Sequence, residues 1–324
     1  MKNIVLLGHG VGVKFVVNSL LKNSKTYKVV ALFTHPFNDH KRDLELIENR
    51  KDIYDEYAYN VFNLKKDYDI DVHESENIND SKTVSKIKHY NPDYIISIGC
   101  RNILKGAFLN EFPQKVLNIH TTPLPTYRGA ASDSWMILNN ELGKEKYGCM
   151  HFIDSGIDTG DIIAKSYYTI PKKSYPIDVF KARMDIFHDI ILKGLTNLEN
   201  PNFVAEKQDT SVSTTFPRLY TPKDGKINFK EYTGEQLIHF IWAFGYPFEG
   251  AFCFLEDQKI NILDGEFHDD LGFHPFSHGL IFGKNENNEY KVSVKNGYIV
   301  VKKIEINGVL TKQSKIFRLG KFLK

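Results

Sequence analysis

The sequence predicts an α/β protein: a Rossmann-like, doubly wound, mostly parallel sheet followed by a smaller C-terminal antiparallel β domain. Three observations carry that expectation. Apolar strand-like runs alternate with amphipathic helical segments as far as about residue 200. A stretch rich in Ser, Thr and Pro at 210–226 interrupts the alternation. From Ala251 onward, short alternating segments are separated by Gly, Asn and Asp turns, the pattern of antiparallel strands. The expected division is an N-terminal domain over 1–205 and a β-rich domain over 206–324.

Taken in order, 3–8 (NIVLLG) is a buried-strand run, and Val11 to Leu21 continues at helical spacing, so the chain opens strand, glycine turn, helix. Gly8, Gly10 and Gly12 do not form a G-x-G-x-x-G fingerprint, because the third glycine falls two residues after the second, so the turn reads as structural. Tyr27 to Thr34 is the next strand. The charged stretch 37–57, with Leu44, Ile47, Ile53 and Tyr54 interspersed, reads as an exposed helical excursion. A short strand at 68–73 and a helix at 81–90 follow. Pro92 stops that helix, and 93–99 (DYIISIG) returns as a buried strand. A short helix leads to the strand ending at Asn118, Ile119 and His120. Beyond it come a helix at 129–142 with Trp135 in its core face, strands at 149–153 and 162–170, and a long amphipathic helix at 176–198 stopped by Asn200, Pro201 and Asn202. In the second region a strand at 227–229 and a helix at 233–244 precede the β segments.

Composition narrows the function classes. With 324 residues, 42% hydrophobic and 25% charged, there is room for a large domain and a smaller one. The net charge is +2 with no basic block, so no nucleic-acid footprint is expected. Cys100, Cys149 and Cys253 are far apart and lack a Cys-x-x-Cys pair, which argues against a disulfide framework and a metal site. No segment approaches the ~20 continuous apolar residues of a membrane helix, and 1–17 reads as a first strand and helix rather than a leader. The expectation is a cytoplasmic protein.

Chemistry concentrates between Asn118 and Asp161. Residues two apart on a strand face the same way, so Asn118 and His120 are presented together. The acidic turn 154–161 (DSGIDTGD), after another strand-like run, can bring a carboxylate to them. An amide, an imidazole and a carboxylate suit direct acyl transfer to an amine. Asn118 would donate to the developing oxyanion, His120, neutral, would take the amine proton, and Asp158 would support His120. No covalent nucleophile is paired with the histidine.

The order Asn-Ile-His (118–120), Pro-Leu-Pro-x-x-Arg-Gly-Ala (123–130) and Ile-Asp-x-Gly-Ile-Asp-Thr-Gly-Asp (153–161) resembles the catalytic core of the folate-dependent formyltransferases. The pattern of Arg218, Asp224 to Ile227 and Tyr246 to Phe252 is similar to the C-terminal portion of the same superfamily. The resemblance implies catalysis by Asn118, His120 and Asp158, with N10-formyltetrahydrofolate as formyl donor. Its pterin would be flanked by Arg101, Ile103 and Leu104 and by Asp154 and Ile157 of the acidic turn.

Within the superfamily the sequence looks most like the nucleotide-sugar N-formyltransferases. Glu249, Glu256, Asp257, Asp264, Glu266, Asp269 and Asp270 are interleaved with the lysines, which is unsuited to a polyanion. The resemblance therefore implies as partner a small nucleotide sugar, a dTDP-linked amino-dideoxyhexose destined for surface glycans, with Arg128 on its diphosphate and Tyr246 and Phe248 near its base. The alternatives are methionyl-tRNA formylation and a catalytically silent folate- or nucleotide-binding module. The β segments after residue 251 offer strands through which a homodimer could pair.

Overall fold

The computed structural model describes residues 1–22, 25–39, 48, 59–270 and 272–324, so most of the expected helical excursion at 37–57 lies outside the described residues. The chain divides into two compact units. The first comprises 1–129, 145–169 and 181–216, and the second 130–144, 170–180 and 217–324.

In the first unit, strands β1 (Lys2–Gly8), β2 (Tyr27–Thr34), β3 (Asp71–Glu74), β4 (Tyr94–Ile98) and β5 (Val116–His120) pair in parallel in the order β3-β2-β1-β4-β5. These runs are apolar because both faces are covered; Ile4, Val5, Leu6 and Leu7 of β1 are fully buried. The short connection from β1 to α1 (Val11–Leu21) depends on Gly8, whose φ is +137° and where an added Cβ would lie 1.8 Å from the carbonyl oxygen of Ile98. The glycine turn therefore serves close packing of β1 against β4, in agreement with its structural reading.

After β5 come a two-residue strand, β6 (Arg128–Gly129), then β7 (Glu145–Phe152) and β8 (Ile162–Thr169). β7 pairs antiparallel with β5 and β8 antiparallel with β7, so the mostly parallel sheet reverses direction at β5. The helix expected at 176–198 is divided into α2 (Pro176–Asp185) and α3 (Phe187–Glu199), with Ile186 between them. At this break the Ile186 side chain sits beside Gly148 of β7, where a missing side chain makes room. The 210–226 stretch is mostly irregular. Its Thr215–Phe216, β9, pairs in parallel with β6.

In the second unit, α4 (Gly234–Ala243) lies against an antiparallel sheet of β10 (Ala251–Leu255), β11 (Gln258–Asp269), β14 (Gly297–Ile306), β13 (Tyr290–Val294) and β12 (Ile281–Lys284), in that spatial order. β15 (Val309–Thr311) pairs with β14. α4 begins with a capping box: the Thr233 hydroxyl accepts from the Gln236 amide at 3.2 Å, and the Gln236 side chain accepts from the Thr233 amide at 3.0 Å. Replacing Thr233 by Ala should lower unfolding stability by about 1 kcal/mol. An unchanged urea midpoint would show that this cap contributes nothing.

Candidate active site

The polar cluster grows out of the reversal at β5. Alternation places Asn118 and His120 on one face, and antiparallel pairing sets His151 of β7 directly opposite Asn118. The three side chains thus share a face, and the loop between β7 and β8 carries Asp158 onto them. Asp158 has φ +53°, a left-handed conformation tolerated by Asp, and its Oδ2 accepts the Gly129 amide at 3.0 Å.

Hydrogen-bond chemistry assigns the protons. His120 Nε2 lies 2.7 Å from the Tyr127 carbonyl, which can only accept, so Nε2 carries the hydrogen and Nδ1 keeps its lone pair. The Thr122 hydroxyl also touches Nε2, at 2.8 Å. His120 is thereby oriented by Tyr127 and Thr122, while its free Nδ1 faces Asp158 Oδ2 at 3.9 Å. At that distance the carboxylate attracts an imidazolium without occupying its lone pair.

His151, which the sequence reading did not select, has the opposite tautomer. Its Nδ1 donates to the Phe152 carbonyl at 2.7 Å, leaving Nε2 to accept from Asn118 Nδ2 at 3.1 Å. The side chain is 1% exposed. Burial, then repulsion from His120, pushes its pKa down to about 4, against the opposing pull of Asp158 and Asp154 and the bond to Phe152. A neutral His151 turns the NH2 end of Asn118 inward and leaves its second N–H pointing towards Asp158 Oδ1, 3.5 Å away. The cross-strand pair was the only available signal for His151, and it depends on a register that the sequence does not display.

Gln208 was also missed. Its Nε2 donates to the carbonyls of Asp158 at 2.9 Å and Gly160 at 2.8 Å, holding the acidic loop by its backbone. Its Oε1 accepts from Arg128 Nη2 at 2.7 Å and Nε at 3.3 Å. Arg128 is 7% exposed, so the structure places it in this bracing network. Cys149 is fully buried, and burial pushes its thiol pKa up, so it stays protonated and offers no thiolate nucleophile.

The remaining expected site residues fall in two groups. Arg101 donates to the Asp39 carbonyl at 3.0 Å, and Asn79 Nδ2 braces the Ile103 carbonyl at 3.0 Å. Leu104 is buried, whereas Ile103 is 63% and Ile157 49% exposed, high values for large apolar side chains. Asp154 accepts from the Gly156 amide and the Thr159 hydroxyl and so shapes the acidic loop. Tyr246 and Phe248 belong to the second unit. There the Tyr246 hydroxyl is 3.1 Å from Lys303 Nζ and its ring meets Tyr175 at 6.1 Å between centroids. Both are half-buried.

A family model described as formyl transferase matches residues 1–192, and one described as formyl transferase, C-terminal domain, matches residues 220–316. A methionyl-tRNA formyltransferase of Rickettsia bellii is 25% identical over 312 residues, covering 96% of this chain and 93% of that protein. One from Campylobacter jejuni is 27% identical over 326 residues, covering 100% of this chain and 98% of its own. Among solved structures, an N-formyltransferase from Helicobacter canadensis in complex with folinic acid and dTDP-3-aminofucose has a TM-score of 0.63 at 21% identity, covering 93% of this chain and 99% of that one. WlaRD, a sugar 3N-formyl transferase solved in the presence of dTDP and 5-N-formyl-THF, has a TM-score of 0.61 at 23% identity, covering 93% and 97%. These two likenesses establish a shared fold.

Proposed function

The chain belongs to the formyl transferase family, and on that premise we propose that it transfers the formyl group of N10-formyltetrahydrofolate to the amine of a dTDP-linked amino-dideoxyhexose, a step in surface-glycan synthesis. The observation that carries the chemistry is the shared face of Asn118, His120 and Asp158, with the protons assigned as above. The donor supplies a formyl carbon bonded to a nitrogen leaving group. Its flat pterin suits the exposed Ile103 and Ile157 beside Arg101, Leu104 and Asp154.

The amine nitrogen attacks the formyl carbon. The second Asn118 N–H, the one His151 does not hold, turns from its long 3.5 Å contact with Asp158 Oδ1 to the carbonyl oxygen and donates to it as it becomes an oxyanion. His120 Nδ1 takes the amine proton, and the resulting imidazolium is stabilised by Asp158. Collapse breaks the bond to the leaving nitrogen, which receives the proton back. Arg128 and Gln208 act on this sequence as positioning residues, through the loop that carries Asp158.

The acceptor assignment rests on two supports. Solved relatives of this fold were crystallised with dTDP or a dTDP-amino sugar, and acidic residues 249, 256, 257, 264, 266, 269 and 270 are spread among the basic ones of the second unit. Tyr246 and Phe248 of the second unit are the side chains we assign to the nucleotide base. No helix long and apolar enough to cross a membrane is present among the described residues, and we place the reaction in the cytoplasm. A second reading, formylation of methionyl-tRNA, is favoured by the full-length likeness to the Rickettsia and Campylobacter proteins.

The two readings separate in one assay: tetrahydrofolate release with dTDP-, UDP- and GDP-linked amino sugars and, in parallel, charged initiator tRNA. Turnover with a dTDP-linked amino sugar and none with tRNA is expected. Turnover with tRNA alone would overturn the sugar assignment and leave the roles of Asn118, His120 and Asp158 standing.

A further inference from the structure

The second unit contains a cavity of about 670 Å³, none of whose lining residues belongs to the polar cluster around Asn118. Its volume lies in the range of roughly 300–1,000 Å³ typical of small-molecule sites. Its walls are tied to the β-sheet by backbone bonds. The 226–230 segment is held by the Ile227 amide on the Phe252 carbonyl at 2.8 Å, and the last residues by the reciprocal bonds between Phe254 and Lys324, at 2.7 and 2.8 Å. The Leu323 amide bonds the Gly279 carbonyl at 2.9 Å, next to the turn that carries Phe276 and His278.

Three kinds of side chain meet there. Lys226, Lys230 and Lys324 bring three ammonium groups, none in an ion pair with a carboxylate among the described residues. Phe276, 81% exposed, stands edge-on to Phe322 at 6.4 Å between centroids. His278 is 4% exposed. Its Nε2 lies 3.0 Å from the Phe273 carbonyl and must carry the hydrogen, so Nδ1 is an acceptor, and it is buried without a hydrogen-bond partner.

The ammonium groups and the exposed ring restrict the occupant, whereas His278 Nδ1 is enclosed and belongs to the wall. Three ammonium groups call for several negative charges on one small molecule, as a di- or triphosphate carries. An exposed ring calls for a flat π-surface. We propose that this cavity binds a nucleoside diphosphate or triphosphate. Its phosphates lie among Lys226, Lys230 and Lys324, and its base lies against Phe276.

Equilibrium dialysis of the whole chain tests this with dTDP and ADP as probes, pyrophosphate as the phosphate-only control and a short oligoribonucleotide as the polymeric source of the same groups. The double variant K230E/F276A changes two exposed side chains outside the proposed catalytic machinery. Saturable binding of dTDP or ADP should fall by one equivalent per chain, or weaken at least tenfold, in the variant. Tetrahydrofolate release at a saturating acceptor concentration should stay unchanged. The lost equivalent is read as a difference, so the result holds whether or not dTDP also binds where the sugar acceptor is proposed to bind. Nucleotide binding unaffected by K230E/F276A, pyrophosphate binding as tightly as dTDP, or an oligoribonucleotide outcompeting both nucleotides would overturn the proposal.

Discussion

An Asn118→Ala protein is expected to release tetrahydrofolate about a hundred to a thousand times more slowly than the native one, with little change in the concentration of donor or acceptor that half-saturates it. In the proposed mechanism the amide touches charge that exists only after the amine has added to the formyl carbon, so its loss falls on the chemical step. Removing one preorganised oxyanion donor costs roughly 3 kcal/mol of transition-state stabilisation. In the structure that donor is aimed before substrate arrives, because His151 Nε2 accepts one of the Asn118 N–H groups at 3.1 Å. Single-turnover rates with saturating donor and acceptor are the readout. A rate within threefold of native would remove Asn118 from the oxyanion role.

The second expectation concerns His151 and pH. In the folded chain the imidazole titrates near 4, while in the unfolded chain it has the ordinary value of 6.5. Between those values the unfolded chain holds a proton that the folded chain rejects, so acidification favours unfolding. This contribution to stability is complete above pH 6.5 and drains away as pH falls towards 4. It amounts to roughly 3 kcal/mol for a difference of this size. Urea unfolding of native protein and of His151→Gln, followed between pH 7 and pH 4, should show a steeper decline in the native protein. Gln can accept from Asn118 and donate to the Phe152 carbonyl, so His151→Gln should keep most activity, whereas His151→Leu should lose it. Parallel stability curves for native protein and His151→Gln would show that this imidazole does not resist protonation.

Asn118 and His120 were legible because strand alternation is local: two residues apart means one face, whatever the fold around them. Asp158 was legible through its Gly- and Asp-rich turn and the motif it shares with the family. His151 was not, because its place opposite Asn118 is set by an antiparallel register between strands separated by a long connection containing a helix. Gln208 lies in a mostly irregular stretch without periodicity, and only its bonds to the Asp158 and Gly160 carbonyls show what it does. Arg128 was read for its charge, but burial against Gln208 gives it a bracing part that charge does not reveal. The strand and helix alternation of the first unit was legible from apolar runs and punctuation. The division of the expected 176–198 helix at Ile186 was not, since no Gly or Pro marks that position in the sequence.

The reversal of the sheet at β5 separates two things that a catalyst must inherit. The ladder from Leu117 to His120 against Cys149 to Phe152 carries the relative placement of Asn118, His120 and His151. Most of the chain between those strands, 130–144, folds with the other unit. Insertions, deletions and changes of sequence in that connection can therefore accumulate without shifting the ladder by a residue. The geometry at Asn118, His120 and His151 is thus kept by backbone pairing and is indifferent to the length of the segment that joins the two strands.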